Sequence, residues 1–360
     1  MYLKTLQLEN FRNYKNLKLT FNENQVTVLI GKNAQGKTNL LESIYSLALT
    51  KSFRSKKNFD QICWNREHSR IKGQINNKNG EQNLEIFCSK APSCQKVLKL
   101  NESKVKSLDF IGNLNIVIFT PDDINLISLS PSIRRKYLNM IISQVDKIYL
   151  QDLIEYSKII KQRNALLPLI KEKRAKEDEI FYWDEMLVAY GSRIIKKRQS
   201  IIKYFNENLT NFYKQISNTK DNLKIRYTAN ITPEKFEEKL KSRLKKDIIF
   251  CKTSIGPHRD DISFYLNNKD IQEFGSRGEY RSTILSLKFA EISYIKHKTD
   301  DYPLLLLDDV FSELDKIRQE QFFASIENCQ TIITTTHKPE NFKKYLEKAV
   351  IHNVEEGEVK

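Results

Sequence analysis

One stretch limits the fold more than any other: Gly31-Lys32-Asn33-Ala34-Gln35-Gly36-Lys37-Thr38. The segment before it, Gln25–Ile30, is apolar and β-branched, as a buried strand is. After it, Asn39–Leu49 sets Leu40, Leu41, Ile44, Leu47 and Ala48 at helical spacing with no Pro or Gly. Strand, glycine loop and helix in this order form the phosphate-cradling pattern of Gly, four residues, Gly-Lys-Thr. Backbone N–H groups of the loop and helix N-terminus would face phosphate oxygens. Lys37 would reach the β- and γ-phosphates, and the Thr38 hydroxyl would hold Mg²⁺.

The other glycines sharpen the search. The chain has 10 in 360 residues, and Gly31, Gly36, Gly256, Gly275 and Gly278 fall in three short loops. Glycine is required where a backbone turns sharply or approaches a ligand. In Gly256-Pro257-His258-Arg259-Asp260-Asp261, His258 is a catalytic base or, more simply, an organiser of the loop. Phe274-Gly275-Ser276-Arg277-Gly278-Glu279 precedes a helical run holding Ile284, Leu285, Leu287, Phe289, Ala290 and Ile292. Ser276 and Gly278 there offer a second anion site, or Ser276 merely caps the helix.

Acidic residues complete the set. Leu304–Leu307 reads as a fully buried strand ending in Asp308-Asp309, and ligands bind at the carboxyl ends of strands in open α/β sheets. Asp308 fits a Mg²⁺ role beside Thr38, and Asp309 fits a general base for water. Ser312–Asp315 turns into the next helix. The strand Thr331–Thr335 leads to His337, which approaches a γ-phosphate or caps the segment before Pro339. Arg12, in the turn Asn10–Tyr14, touches nucleotide or is a solvated turn residue. Asp122 and Asp123 cap a helix or approach Mg²⁺.

The long middle differs. Residues 58–118 read as β-rich, with a hairpin of Arg70–Ile75 and Asn83–Cys88. Residues 131–216 read as helical: Val145–Leu167 stopped near Pro168, then Ile180–Ile216, which could break near Gly191. The net charge of +15 suits a polyanion such as nucleic acid, or reflects a Lys- and Asn-rich bias. Arg193, Lys196, Lys197 and Arg198 form a DNA-tracking stripe or a solvated face. Five scattered cysteines point to reduced thiols and a cytoplasmic setting. No apolar run approaches the ~18 residues of a membrane span.

Together these motifs resemble the ABC-type ATPase heads of the SMC and RecF group, and its RecF branch most. Gly31–Thr38, Ser276–Glu279, Leu304–Asp309 and Ser312–Asp315 stand in family order as Walker A, signature, Walker B and D-loop. Further matching stretches are Asn10–Tyr14, Gly36–Glu42 (which includes Asn39), Ser52–Arg54, Phe119–Asp123, Arg134-Arg135, Gln162–Asn164 and Gly256–Asp261. Arg277 and Glu279 depart from the Gln-Gly-Gln usual in that branch, and His337 looks more like general ABC ATPases.

The resemblance implies an α/β, P-loop ATPase lobe from residues 1–125 and 250–360, and a helical lobe from 126–249. It implies ATP and Mg²⁺ as cofactors and an ATP-dependent homodimer in which each P-loop faces the other copy's signature. It implies DNA at single-strand gaps and single-strand/double-strand junctions as partner, a RecR-type mediator, and slow, DNA-stimulated hydrolysis that resets a clamp. The alternative is an ABC-type ATPase subunit driving a protein or membrane partner.

Overall fold

The computed structural model describes residues 1–23, 25–55, 57–91, 93–310, 316–326, 328–336 and 349–360. The chain divides into two compact units, one of residues 1–123, 215–218 and 284–360, the other of residues 124–214 and 219–283.

The first unit begins with β1 (Tyr2–Phe11), β2 (Tyr14–Thr20), β3 (Val26–Ile30) and α1 (Lys37–Leu49). Then come β4 (His68–Asn77), β5 (Gly80–Ser89), β6 (Gln95–Leu100), β7 (Ser103–Val105), α2 (Ser107–Phe110) and β8 (Ile116–Phe119). An antiparallel sheet forms in the order β2-β1-β4-β5-β6-β7. Its strands alternate as half-buried strands do: Leu6, Leu8, Ile71, Ile75, Leu84 and Ile86 are buried while their neighbours face out. The expected hairpin is β4–β5, with Asn77 opposite Gly80.

The second unit holds α3 (Asn125–Ser128), α4 (Pro131–Val145), α5 (Lys147–Lys171) and α6 (Phe181–Ser217). They are followed by β9 (Leu223–Thr228), α7 (Phe236–Phe250), β10 (Asp261–Leu266), β11 (Lys269–Asp270), α8 (Ile271–Phe274) and α9 (Arg277–Thr299). From Ile284, α9 groups with the first unit. That unit is completed by β12 (Leu304–Asp308), α10 (Lys316–Ser325), β13 (Thr331–Thr335), β14 (Val350–Glu355) and β15 (Glu358–Val359).

Its second sheet runs β15-β14-β3-β13-β12-β8. The pairs from β14 to β8 are all parallel, so their carboxyl ends lie along one edge. The apolar runs Ile116–Phe119 of β8 and Leu304–Leu307 of β12 fit strands buried on both faces, and every residue of both strands is buried. α1 packs against strands of both sheets. Ten of its thirteen residues are buried, far more than one apolar stripe would require. The Gln330 side chain also ties the sheets together, accepting from Leu3 N at 2.8 Å and donating to Leu3 O at 2.9 Å.

The second unit departs from the sequence reading in three ways. Residues 250–283 stay with it, because β10 pairs along its length with β9; the return to the first unit comes at 284 rather than 250, and the unit contains a three-stranded sheet. α5 runs past Pro168 to Lys171; so close to the helix end the proline removes only one terminal hydrogen bond. α6 passes unbroken through Gly191 for 37 residues, about 55 Å. A Cβ at Gly191 would meet the rings of Phe236 and Tyr156, so that glycine serves close packing.

The loop Gly256–Asp261 is fastened inside this unit. Arg198 is buried and donates to Asp260 Oδ2 at 2.9 Å and Pro257 O at 2.7 Å. Arg134 grips Asp261 with two bonds of 2.7 and 2.8 Å, and Arg135 donates to Asp260 O at 2.7 Å. His258 Nε2 lies 3.1 Å from Thr253 O and Nδ1 lies 2.8 Å from Tyr156 Oη. A carbonyl can only accept, so Nε2 carries the proton and Nδ1 accepts from the tyrosine. Burial, helped by Arg259 and Arg135, lowers the His258 pKa to about 4. The imidazole is thus a neutral organiser of the loop.

A histidine neutral when folded but protonated when unfolded makes stability pH-dependent. The stability is fully present above the ordinary pKa of about 6.5 and is lost as pH falls toward 4, because the unfolded chain then binds the extra proton. In urea titrations, His258→Gln should lose about 2 kcal/mol less than the parent between pH 7 and 4.5. Parallel profiles would refute the assignment.

Candidate nucleotide site

The glycine loop connects the carboxyl end of β3 to α1. Lys32, Asn33 and Ala34 form its exposed crown, and Gly36 and Lys37 are buried. Gly36 has φ +119°, which disfavours a side chain. A Cβ there would also meet Asn13 and the Tyr14 hydroxyl, and one at Gly31 would strike the Val354 carbonyl. The loop is held from beneath: Asn13 Nδ2 donates to Gln35 O at 2.9 Å and Tyr14 Oη to Gly36 O at 3.0 Å. Gly357 N also donates to Gln35 O, at 3.2 Å. Asn39 Nδ2 reaches Asn13 Oδ1 at 2.8 Å, and Arg54 reaches Asn39 Oδ1 at 2.7 Å.

The amino end of α1 fits a phosphate. No side chain caps it and its first turn carries no acid, leaving N–H donors and the positive end of the helix dipole for an anion. Lys37 Nζ donates to Gly31 O at 2.6 Å and Lys32 O at 2.8 Å, which keeps the ammonium against the loop. Burial lowers its pKa, while Asp309 and Asp308 oppose that shift. The charge of Lys37 is therefore poorly solvated and faces two carboxylates from β12 and its end.

Asp308 and Thr38 meet at that edge. Thr38 Oγ1 donates to Asp308 Oδ1 at 2.9 Å, and Thr334 Oγ1 of β13 donates to the same oxygen at 2.8 Å. A hydroxyl beside a carboxylate is the hard-oxygen chemistry that suits Mg²⁺. Among the described residues no group of three or more His, Cys, Asp or Glu could hold a metal, so phosphate oxygens and water would complete such a shell. Asp309 takes φ +49°, and its N–H reaches Thr334 Oγ1 at 3.1 Å and Thr334 O at 3.2 Å. Thr334 therefore positions both acids.

Other residues singled out from sequence have defined places. Arg12 forms two bonds to Glu42, at 2.9 and 2.6 Å, and one to Asp60 O at 2.5 Å. Glu42 is fully buried on α1, so Arg12 braces the helix behind the loop. Asp123 accepts from Thr120 N at 2.7 Å and pairs with buried Lys288 at 3.0 Å, which is the capping alternative. In the second unit, Ser276 N donates to Glu279 Oε2 at 2.6 Å and Glu279 N to Ser276 Oγ at 3.3 Å. This reciprocal pair is a capping box at the start of α9, with Gly278 in its first turn. Ser312–Asp315 and His337 lie outside the described residues. Of the four clustered cations Arg193, Lys196, Lys197 and Arg198 on α6, Arg198 is buried and leaves the proposed stripe, and the other three are exposed.

Sequence reasoning missed Thr334, Glu42, Asn13 and Tyr14 as site supports. Asn13 and Tyr14 stood in a quoted stretch, but their bonds to the loop had no sequence signal. Thr334 lay inside a recognised strand whose neighbours in the sheet were not known.

The chain is similar to known proteins along nearly its whole length. The family model described as RecF/RecN/SMC N terminal domain matches residues 2–360. A protein of Lachnoclostridium phytofermentans named "DNA replication and repair protein RecF" is 40% identical over all of this chain and 99% of its own. A Listeria monocytogenes protein of the same name is 41% identical, with both chains fully covered. A solved structure of "the recombination mediator protein RecF-ATP in RecFOR pathway" matches with TM-score 0.91 and 35% identity over 100% of this chain and 97% of that one. An Smc head domain from Pyrococcus furiosus matches at TM-score 0.58 and 16% identity, over 100% of this chain and 95% of that one, which speaks to fold alone. No helix among the described residues is long and apolar enough to cross a membrane.

Thr334→Val should test the ladder. Losing a support behind a metal ligand typically costs about 10–100-fold in metal affinity. The Mg²⁺ concentration for half-maximal binding of a fluorescent ATP analogue should rise about tenfold, with metal-free binding unchanged. An unaltered Mg²⁺ requirement would show that Thr334 only packs.

Proposed function

The chain belongs to the RecF family, and from that premise we propose that it is an ATP-dependent DNA-binding protein of recombinational repair. The observation that carries this reading is the ladder Thr38–Asp308–Thr334 beside the uncapped amino end of α1. The names of the relatives, DNA replication and repair protein RecF, favour it over an ATPase subunit serving another partner.

In this reading the backbone of Gly31–Thr38 holds the β- and γ-phosphates, with Lys37 neutralising them. Thr38 and Asp308 hold Mg²⁺, which supplies positive charge to the phosphate oxygens. Asp309 orients water as the general base. The slow turnover expected of the family makes hydrolysis a reset for a clamp. The amino end of α9, with Ser276 and Gly278, meets the γ-phosphate held by a second copy, so two copies share two composite sites. The dimer binds DNA at gaps and single-strand/double-strand junctions and recruits a RecR-type mediator. The +15 net charge supports a polyanionic partner.

The composite site has a complementation test. Lys37→Ala should lose ATP binding and keep its fold. Ser276→Arg should bind ATP as a monomer, because it blocks only the surface offered to the other copy. Mixed, the two should recover one working interface and sediment as a heterodimer in ATP. Asp309→Asn should bind Mg²⁺·ATP with parent affinity and persist as a dimer, with turnover reduced roughly 100-fold or more. If Ser276→Arg dimerises like the parent, or the parent stays monomeric in ATP, the shared-site reading fails.

A further inference from the structure

We infer that the solvent face of the antiparallel sheet in the first unit is a duplex-DNA backbone surface, built on one row of six residues, four of them lysines, that crosses all six strands. The register defines the row. Lys18 lies opposite Gln7, Gln7 opposite Lys72, Lys72 opposite Glu85, Glu85 opposite Lys99, and Lys99 opposite Lys104. Directly opposed side chains share a sheet face, so these six point the same way. The core residues flanking them, Ile71 and Leu84 among others, point inward.

Charge on this row is unbalanced. Four lysines share one carboxylate: Glu85 lies 3.6 Å from Lys72, 3.2 Å from Lys99 and 3.4 Å from Arg70 in the next row. Lys18 and Lys104 are exposed and, among the described residues, have no carboxylate within ion-pair distance. Lys99 and Lys104 stand directly opposite each other, an arrangement of like charges that destabilises a sheet. An external anion accounts for what the fold alone does not favour.

The dimensions fit a nucleic-acid backbone. Five strand spacings of about 4.8 Å give a row of about 24 Å, the axial length of about seven phosphates of one DNA strand. The row lacks an aromatic anchor of the kind that dominates protein interfaces. Phe87, in the neighbouring row, lies under the Arg70 guanidinium, 5.4 Å from its ring centre. By contrast, three cations of α6 are answered locally: Arg193 pairs with Asp152 at 2.8 Å, Lys197 with Asp146 at 2.5 Å and Arg198 with Asp260 at 2.9 Å.

This inference rests on the DNA-binding reading, and the test separates the two. The full chain, in Mg²⁺ and ATP, is titrated with a fluorescent 30-base-pair duplex between 50 and 200 mM salt. Each lysine that contacts phosphate adds about 0.9 to the slope of log affinity against log salt. Lys18→Ala combined with Lys104→Ala should therefore lower the slope by about 1.8, with ATP affinity and melting temperature at parent values. Arg193→Ala combined with Lys197→Ala on α6 should keep the parent slope. A sheet variant with the parent slope overturns the inference and leaves DNA binding standing. Loss of polyglutamate binding without loss of duplex binding would overturn it in favour of an acidic protein partner. A parent chain with no affinity for duplex would remove both the inference and the reading beneath it.

Discussion

The structure depends on the burial of one helix. α1 lies against both sheets of the first unit, and its first residue, Lys37, is already buried. A helix so enclosed cannot shift without disturbing two layers, because protein interiors are close-packed and transmit displacement. The position of its amino end, and so of the phosphate loop, is fixed from behind. Glu42 shows how far the enclosure goes. It is a carboxylate with no solvent contact, answered by Arg12, Ser52 and Gln61. A buried charge is tolerable only with such partners.

That rigidity explains why the acids at the edge of the parallel sheet meet the loop in working geometry. β12 delivers Asp308, β13 delivers Thr334 and β3 delivers the loop, in strands that are sheet neighbours or one apart. Parallel pairing puts all three carboxyl ends together, and it does so with residues far apart in the chain. The site is thus a property of strand order more than of any single motif.

Much of this was legible beforehand. The glycine loop, the leucine strand ending in two acids and the serine before α9 announce themselves through periodicity and scarce glycine, which are local signals. What stayed hidden needs partners distant in sequence. Nothing near Thr334 says that its hydroxyl meets Asp308. Nothing near Arg12 names Glu42 as its partner. The lobe boundary slipped from 284 to 250 because β9 and β10 pair across the intervening α7. Arg198 could have been excluded earlier: at 100° per residue it lies about 200° around α6 from Lys196, so a run of cations in sequence is not one face in space. The row of lysines on the sheet was invisible for the converse reason, since its four lysines come from four different strands.

The pairing of β3 with β13 has a consequence for synthesis of the chain. Val26 lies opposite Thr331, so the strand preceding the phosphate loop leaves the ribosome long before its neighbour exists. At about 5–20 residues per second the delay is about 15–60 s. Throughout that interval Val26–Ile30 is an apolar segment with both edges unpaired, the kind of strand prone to pairing with another chain. The amino-terminal antiparallel sheet, whose strands are all complete by Val105, can form meanwhile and shelter α1 on one side. Nascent chains stalled after the sheet but before β13 would then be the aggregation-prone species in the life of this protein.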